Sequence, residues 1–154
     1  MTTESAVRLD IGAGEMKQYG WTSVDVQDHF KPDIIASVTD LPYEDGSVDE
    51  ARCLHVLEHL ERKDIIRAFN EIWRVLKVGG ELLVEVPIFP YWEAIADPTH
   101  YSFFVPQSFW YFTRDDYKSF RKMYGIKPWK LTGGKRNALG SVLASRMEKV
   151  EDDE

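Results

Sequence analysis

The feature that most constrains the fold of this chain is the run Val7 to Ile11, which ends abruptly on Gly12-Ala13-Gly14. An apolar stretch stopped by two glycines reads as a buried strand entering a tight loop. A second β-rich run, Thr22 to Val26, follows only a short stretch after Gly14. A parallel crossover ordinarily takes a dozen or more residues and a helix, so the first helix is expected to be a turn or two at most.

The alternation continues. Ile34 to Val38 reads as a third strand, Asp40-Leu41-Pro42 and Glu44-Asp45-Gly46 as turns, and Val48 to Leu54 as a fourth strand. His55 to Leu60 is predicted to be a short helical segment. Ile65, Phe69, Ile72 and Leu76 recur at helical spacing, with Ile66 and Trp73 widening the stripe. This helix is predicted to stop at Gly79-Gly80 in a left-handed cap, before a fifth strand over Glu81 to Val86. Pro87 to Pro106 is a long, aromatic-rich connection and a candidate lid. Pro106 is expected to start a helix, and Thr113 with Asp116 resembles a capping box for a segment ending near Gly125. Lys127 to Thr132 and Ser141 to Val150 read as a closing pair of strands, although the second also suits a helix. The expected fold is therefore α/β: a Rossmann-like, doubly wound, mostly parallel sheet with a C-terminal antiparallel hairpin. One compact domain over 1–150 and an acidic tail over 151–154 account for the chain.

Composition narrows the class. The 154 residues are 44% hydrophobic and 29% charged, enough for a core and a solvated surface, and no run of about 18 apolar residues offers a membrane span. The N-terminal Met-Thr-Thr-Glu-Ser lacks a secretory pattern. A single cysteine, Cys53, excludes an intrachain disulfide, suits a reducing, cytoplasmic setting and sits in an apolar run as a core residue would. A net charge of -7 disfavours broad binding to nucleic acid. Against that trend, Arg114, Lys118, Arg121, Lys122, Lys127, Lys130, Lys135 and Arg136 face only Asp115 and Asp116 in their stretch. They form either a solvated face or a surface for an anionic acceptor.

Sheets of this kind bind ligands beyond the carboxyl ends of their strands. The glycines after the first strand let backbone approach a ligand, and Asp25, at the end of the second, can accept both hydroxyls of a ribose. The ordered series Leu9-Asp10-Ile11-Gly12-Ala13-Gly14, Val24-Asp25-Val26, Asp40-Leu41-Pro42 through Asp49, His55-Val56-Leu57-Glu58-His59-Leu60 and Arg74 to Leu82 resembles the class I S-adenosylmethionine-dependent methyltransferases. The likeness is to the type-11 group, in a short-loop form that carries Met16 where many members have a third glycine. It covers about residues 7 to 88.

The resemblance implies S-adenosylmethionine as cofactor. Gly12, Ala13 and Gly14 would line its methionine part, Asp25 and Val26 its ribose, Asp40 and Leu41 its adenine, and His55 would sit beside it. Asp10 would support the glycine loop or the cofactor ammonium. The implied activity is methyl transfer to an oxygen or nitrogen nucleophile, with a small-molecule acceptor preferred, nucleic acid or protein acceptors open, and a non-catalytic binding or assembly module as the alternative.

His55 and His59 lie four residues apart, a spacing that suits two metal ligands. A third ligand is missing from the pattern, and packing of Glu58 and His59 explains it as well, so no metal is assigned. His100, in Asp97-Pro98-Thr99-His100-Tyr101, and His59 are the candidate catalytic groups, because an imidazole titrates in the range a methyl-transfer base needs. For His100, a hydrogen bonder that orders the loop is the other reading. The aromatic belt from Tyr91 to Phe112 could surround an acceptor or a sulfonium cation, or simply cover the sheet.

Overall fold

A computed structural model describes residues 5–152. Its strands are β1 (Arg8–Ile11), β2 (Thr22–Asp25), β3 (Ile34–Ile35), β4 (Val48–Leu54), β5 (Leu76–Pro87), β6 (Trp129–Arg136) and β7 (Val142–Lys149). Its helices are α1 (Arg62–Val75), α2 (Trp92–Ile95), α3 (Trp110–Thr113) and α4 (Lys118–Tyr124). The strands form one sheet in the order β3-β2-β1-β4-β5-β7-β6. Strands β1 to β5 pair in parallel, while β7 runs antiparallel between β5 and β6. The order reverses between β1 and β4, which opens a crevice at their carboxyl ends.

Several expectations shift. β4 has the bounds read from sequence, and the C-terminal hairpin is present. β3 is reduced to Ile34–Ile35, because Ser37 turns the chain away: its hydroxyl meets that of Thr39 at 2.8 Å and its carbonyl accepts the Asp40 N–H at 3.0 Å. Helix α1 ends at Val75, before Gly79-Gly80. Leu76 is already extended and pairs with Val48, and its carbonyl accepts the buried Lys149 ammonium at 2.8 Å. Thr113 makes no capping box; its hydroxyl donates to the Phe109 carbonyl, and Asp116 pairs with Arg114 instead. Pro106 does open a helical turn, and Gly125 closes α4. Asp152, in the expected acidic tail, pairs with Lys127, while residues 1–4, which begin the Met-Thr-Thr-Glu-Ser stretch, and tail residues 153–154 lie outside the described residues.

The first crossover contains no helix among the described residues, and the second only a 3-10 turn, Asp28–Phe30. The consequence is visible in the two faces of the sheet. Leu9, Ile11, Ala51, Cys53, Leu82, Val84 and Met147 lie on one face and join a core with Ala68, Phe69, Ile72 and Val75 of α1 and with Phe104, Phe109, Phe112 and Trp129. The opposite face carries ion pairs: Arg8 with Glu50, Asp10 with Arg52 and Glu81 with Arg146. Alternating apolar and charged residues along β4 and β5 are what a half-solvated sheet requires. Cys53 is fully buried and its thiol is pushed up by burial, which makes it an inert core group.

Arg52 does part of the work of the missing helix. Its guanidinium grips Asp10 through Nε at 2.8 Å and Nη2 at 2.7 Å, donates to Gln18 at 3.1 Å and lies 5.5 Å from the Trp21 ring centroid. A single planar fork thus ties the loop after β1 to the neighbouring strand.

Candidate active site

A cleft of about 520 Å³ opens over the carboxyl ends of β1, β2 and β4. That volume lies in the range of small-molecule and cofactor sites. Its walls come from Ile11, Gly12 and Gly14, from Asp25, Val26 and Phe30, from Ala36 to Val38, and from His55, His59 and Tyr101.

The glycine loop is shaped from beneath and from the side. The Gly12 and Ala13 N–H groups both donate to the Val24 carbonyl, at 2.7 and 3.3 Å. Gly12 has φ +69°, and a Cβ there would stand 2.1 Å from Val56 Cγ2, so only glycine fits against that valine. At Gly14 the added carbon would meet nothing within 4 Å, which leaves its backbone open to a ligand. Asp25 is nearly buried, at 7% exposure, and its carboxylate accepts the Gly14 N–H at 3.0 Å and the Gln27 N–H at 2.9 Å. One side chain therefore sets the loop after β1 and the turn after β2. Each of its oxygens retains a lone pair for a further donor. Val26 beside it is 61% exposed, an apolar surface with no protein neighbour covering it.

His55 forms the opposite wall and takes a left-handed conformation, φ 55°, uncommon for a side-chain-bearing residue. It is held by its surroundings: its N–H donates to the Glu85 carbonyl at 2.9 Å, and its ring lies 3.2 Å from Glu58 Oε1 and 2.9 Å from Glu85 Oε1. The hydrogen bond to Glu58 is the main cause that raises the imidazole above its ordinary value, with Glu85 adding to it and burial opposing.

The structure thus brings Gly12, Gly14, Asp25, Val26, His55 and His59 to one cleft. It does not bring Asp40, Leu41, Asp10, Ala13 or His100 to its lining. Asp40 is exposed, and Leu41 is buried, its N–H donating to Glu71 at 2.8 Å. Ser37 and Val38, three residues earlier, occupy the wall that the sequence assigned to Asp40 and Leu41; the short β3 moves the turn, and no motif marks it. Asp10 is engaged by Arg52 and reaches the loop only through the Gln18 N–H at 3.4 Å. His100 lies behind the cleft with a side chain 8% exposed, its Nδ1 2.9 Å from the Ala94 carbonyl. That places it as a loop-ordering group. Its ring packs edge-on against His59, centroids 4.8 Å apart. Glu58, read from sequence only as a packing residue beside His59, is almost completely buried against the His55 ring.

Three of the eight basic residues between 114 and 136 are used internally, and Lys118, Lys122, Lys130, Lys135 and Arg136 are exposed. Arg114 pairs with Asp116, Lys127 with Asp152, and the buried Arg121 donates to the Arg114 carbonyl. No helix of the described residues is long and apolar enough to cross a membrane.

Comparison with known proteins bears on the family and the fold. Residues 9–84 match the family described as "Methyltransferase domain". A stretch of 53 residues, 34% of this chain, is 42% identical to an uncharacterized protein of Methanocaldococcus jannaschii and spans only 22% of that protein. The fold is similar to a chain of the Haloferax volcanii complex between the Trm112 methyltransferase activator and a methyltransferase, with TM-score 0.70 and 13% identity over 98% of this chain and 85% of that one. It is also similar to the 1,6-didemethyltoxoflavin-N1-methyltransferase of Burkholderia thailandensis, solved with 1,6-didemethyltoxoflavin and S-adenosylhomocysteine. There the TM-score is 0.64 and the identity 15%, over 95% of this chain and 72% of that one.

Proposed function

We propose, from the match of residues 9–84 to the family described as "Methyltransferase domain", that the chain is a class I S-adenosylmethionine-dependent methyltransferase and transfers a methyl group to an oxygen or nitrogen nucleophile of a small-molecule acceptor. Residues 1–150 would act as one domain, in a cytoplasmic setting consistent with the lone buried thiol. The observation that carries this reading is the cleft in which Asp25 braces the Gly14 loop and still offers lone pairs beside the bare Val26 surface.

The residues present fit the cofactor. A ribose would lie against the Asp25 carboxylate, and a purine against Val26 between Phe30 and Ala36 to Val38. The amino-acid tail would lie along the open Gly14 backbone. Bound there, S-adenosylmethionine supplies an electrophilic methyl on a sulfonium sulfur. Asp25 orients the nucleoside, Gly12 and Gly14 leave room for the tail, and the His55 ring, held between Glu58 and Glu85, closes the floor. His59 is the polar side chain on the acceptor side, positioned to receive or relay the nucleophile's proton. His100 supports it from behind.

One observation favours a second reading, a non-catalytic binding module: the first crossover carries no helix among the described residues. Isothermal titration with S-adenosylmethionine and S-adenosylhomocysteine tests the first. Heat with both, at about one equivalent, is the expected result. No heat with either at high protein concentration would refute it, and binding without turnover across a panel of hydroxyl, amine and carboxylate acceptors would favour the module.

A further inference from the structure

Behind the cleft wall at His59 lies a second constellation. Glu58, His59 and His100 each present one donor atom, and these atoms all lie within 4.8 Å of one another. Glu58 is buried at 1% exposure. One of its oxygens meets His55, but Oε2 is buried with no hydrogen-bond partner. An orphaned carboxylate oxygen in the interior is costly, and its presence asks for a missing partner.

The two imidazoles point to the nature of that partner. His59 Nδ1 lies 3.2 Å from the Thr99 carbonyl and 3.1 Å from the Thr99 hydroxyl, whose own proton goes to Asp97 at 2.6 Å. Both neighbours can only accept, so Nδ1 carries the hydrogen and Nε2 the free lone pair. His100 Nδ1 faces the Ala94 carbonyl at 2.9 Å, with the same consequence. A histidine whose one ring nitrogen donates to backbone carbonyl while the other is left free is the arrangement that supports metal ligation. Asp97 Oδ2 lies 3.7 Å from His100 Nε2.

We propose that Glu58, His59 and His100 form a binding site for Zn²⁺ or a similar borderline divalent ion, with its remaining positions open to the cleft. Two imidazoles and one carboxylate are a donor set for such an ion in a site that keeps an exchangeable position. Ligands about 2.1 Å from a tetrahedral ion stand about 3.4 Å apart, so donor atoms now within 4.8 Å need to close by at most about 1.4 Å, through a small shift of His59 together with Thr99. His59, Thr99 and Tyr101 all line the cleft. With the ion bound, His59 is a ligand rather than a base, and an acceptor oxygen held at the open position would be made easier to deprotonate, its proton passing to solvent. This last role rests on the methyl-transfer reading; ion binding does not.

The test is titration of chelator-treated full-length protein with Co²⁺, followed by its visible ligand-field absorption, with Zn²⁺ as competitor. The expected result is one equivalent of Co²⁺ displaced by Zn²⁺. His59→Ala and the gentler His100→Gln should each weaken it at least about 10-fold, while His29→Ala leaves it unchanged. His59 is exposed, so its removal does not threaten folding. No stoichiometric uptake up to about 100 µM ion, or uptake equal in the His59 and His100 variants, would overturn the site. Calorimetry with S-adenosylhomocysteine on the metal-free protein separates the two ideas. Cofactor heat without Co²⁺ uptake refutes only the ion site, and uptake without cofactor heat refutes only the methyl-transfer reading.

Discussion

Replacement of Gly12 by alanine should destabilise the protein through two separable causes. Its φ of +69° costs an L-residue about 1–2 kcal/mol. The new methyl would stand 2.1 Å from Val56 Cγ2 and 3.2 Å from Cγ1. Valine has a stiff χ1, so relief requires backbone movement, and such overpacking costs about 1–3 kcal/mol. Loss of glycine's freedom in the unfolded chain returns up to about 1 kcal/mol, leaving a net loss of about 1–5 kcal/mol. For a domain of this size, 1 kcal/mol corresponds to about 3 °C, so the Gly12→Ala melting temperature should fall by roughly 3–15 °C. The double variant with Val56→Ala should recover the contact share and none of the backbone share, so the two substitutions should couple favourably by at least about 1 kcal/mol. Urea unfolding of all four proteins measures the cycle. A single variant within about 0.5 kcal/mol of the parent, or additive effects in the double, would refute the proposed contact between the loop and Val56.

Asp25→Asn should weaken S-adenosylhomocysteine binding by about 10- to 100-fold, from lost charge-assisted hydrogen bonds. An amide also cannot accept both the Gly14 and Gln27 N–H groups; calorimetric affinity within about 3-fold of the parent would count against Asp25 as the nucleoside anchor. Arg52→Met removes the partner of an Asp10 side chain only 4% exposed, and an uncompensated buried charge should cost about 3–5 kcal/mol in urea unfolding; a loss under about 1 kcal/mol would show that the pair is not structural. Glu71 is held below its ordinary value of 4.5 by the Arg74 guanidinium and, secondarily, by the Leu41 N–H. Because the folded-state value is the lower one, this contribution is present above about pH 4.5 and is lost as pH falls through the folded value. The stability gap between the parent and Glu71→Gln should therefore narrow on acidification, and a gap constant from pH 7 to 3 would contradict the assignment.

Much of the frame was legible in the chain because its signals are local. Val48 to Leu54 begins and ends where it was read, despite a register shift between Val48 and Glu50. Gly125 closes α4, and the glycines after Ile11 mark the turn into the cleft. Two of the misplacements share one physical origin, a pairing between segments distant in sequence that outweighs a local preference. Leu76 joins β4 through Val48 and ends α1 early, although Gly79-Gly80 looks like its natural stop. Arg52 claims Asp10 across 42 residues, which takes that carboxylate out of the cleft.

The order of apolar runs, glycines and acids along the chain was sufficient by itself to point to an α/β sheet, its parallel strands and the end over which the cleft opens, since periodicity and turn chemistry act within a few residues. Only the folded molecule could show the uncovered charged face and the meeting of His100 with Glu58 and His59. Those depend on which side chains are brought together by the packing of strands and loops across forty residues or more, and no spacing along the chain records that distance.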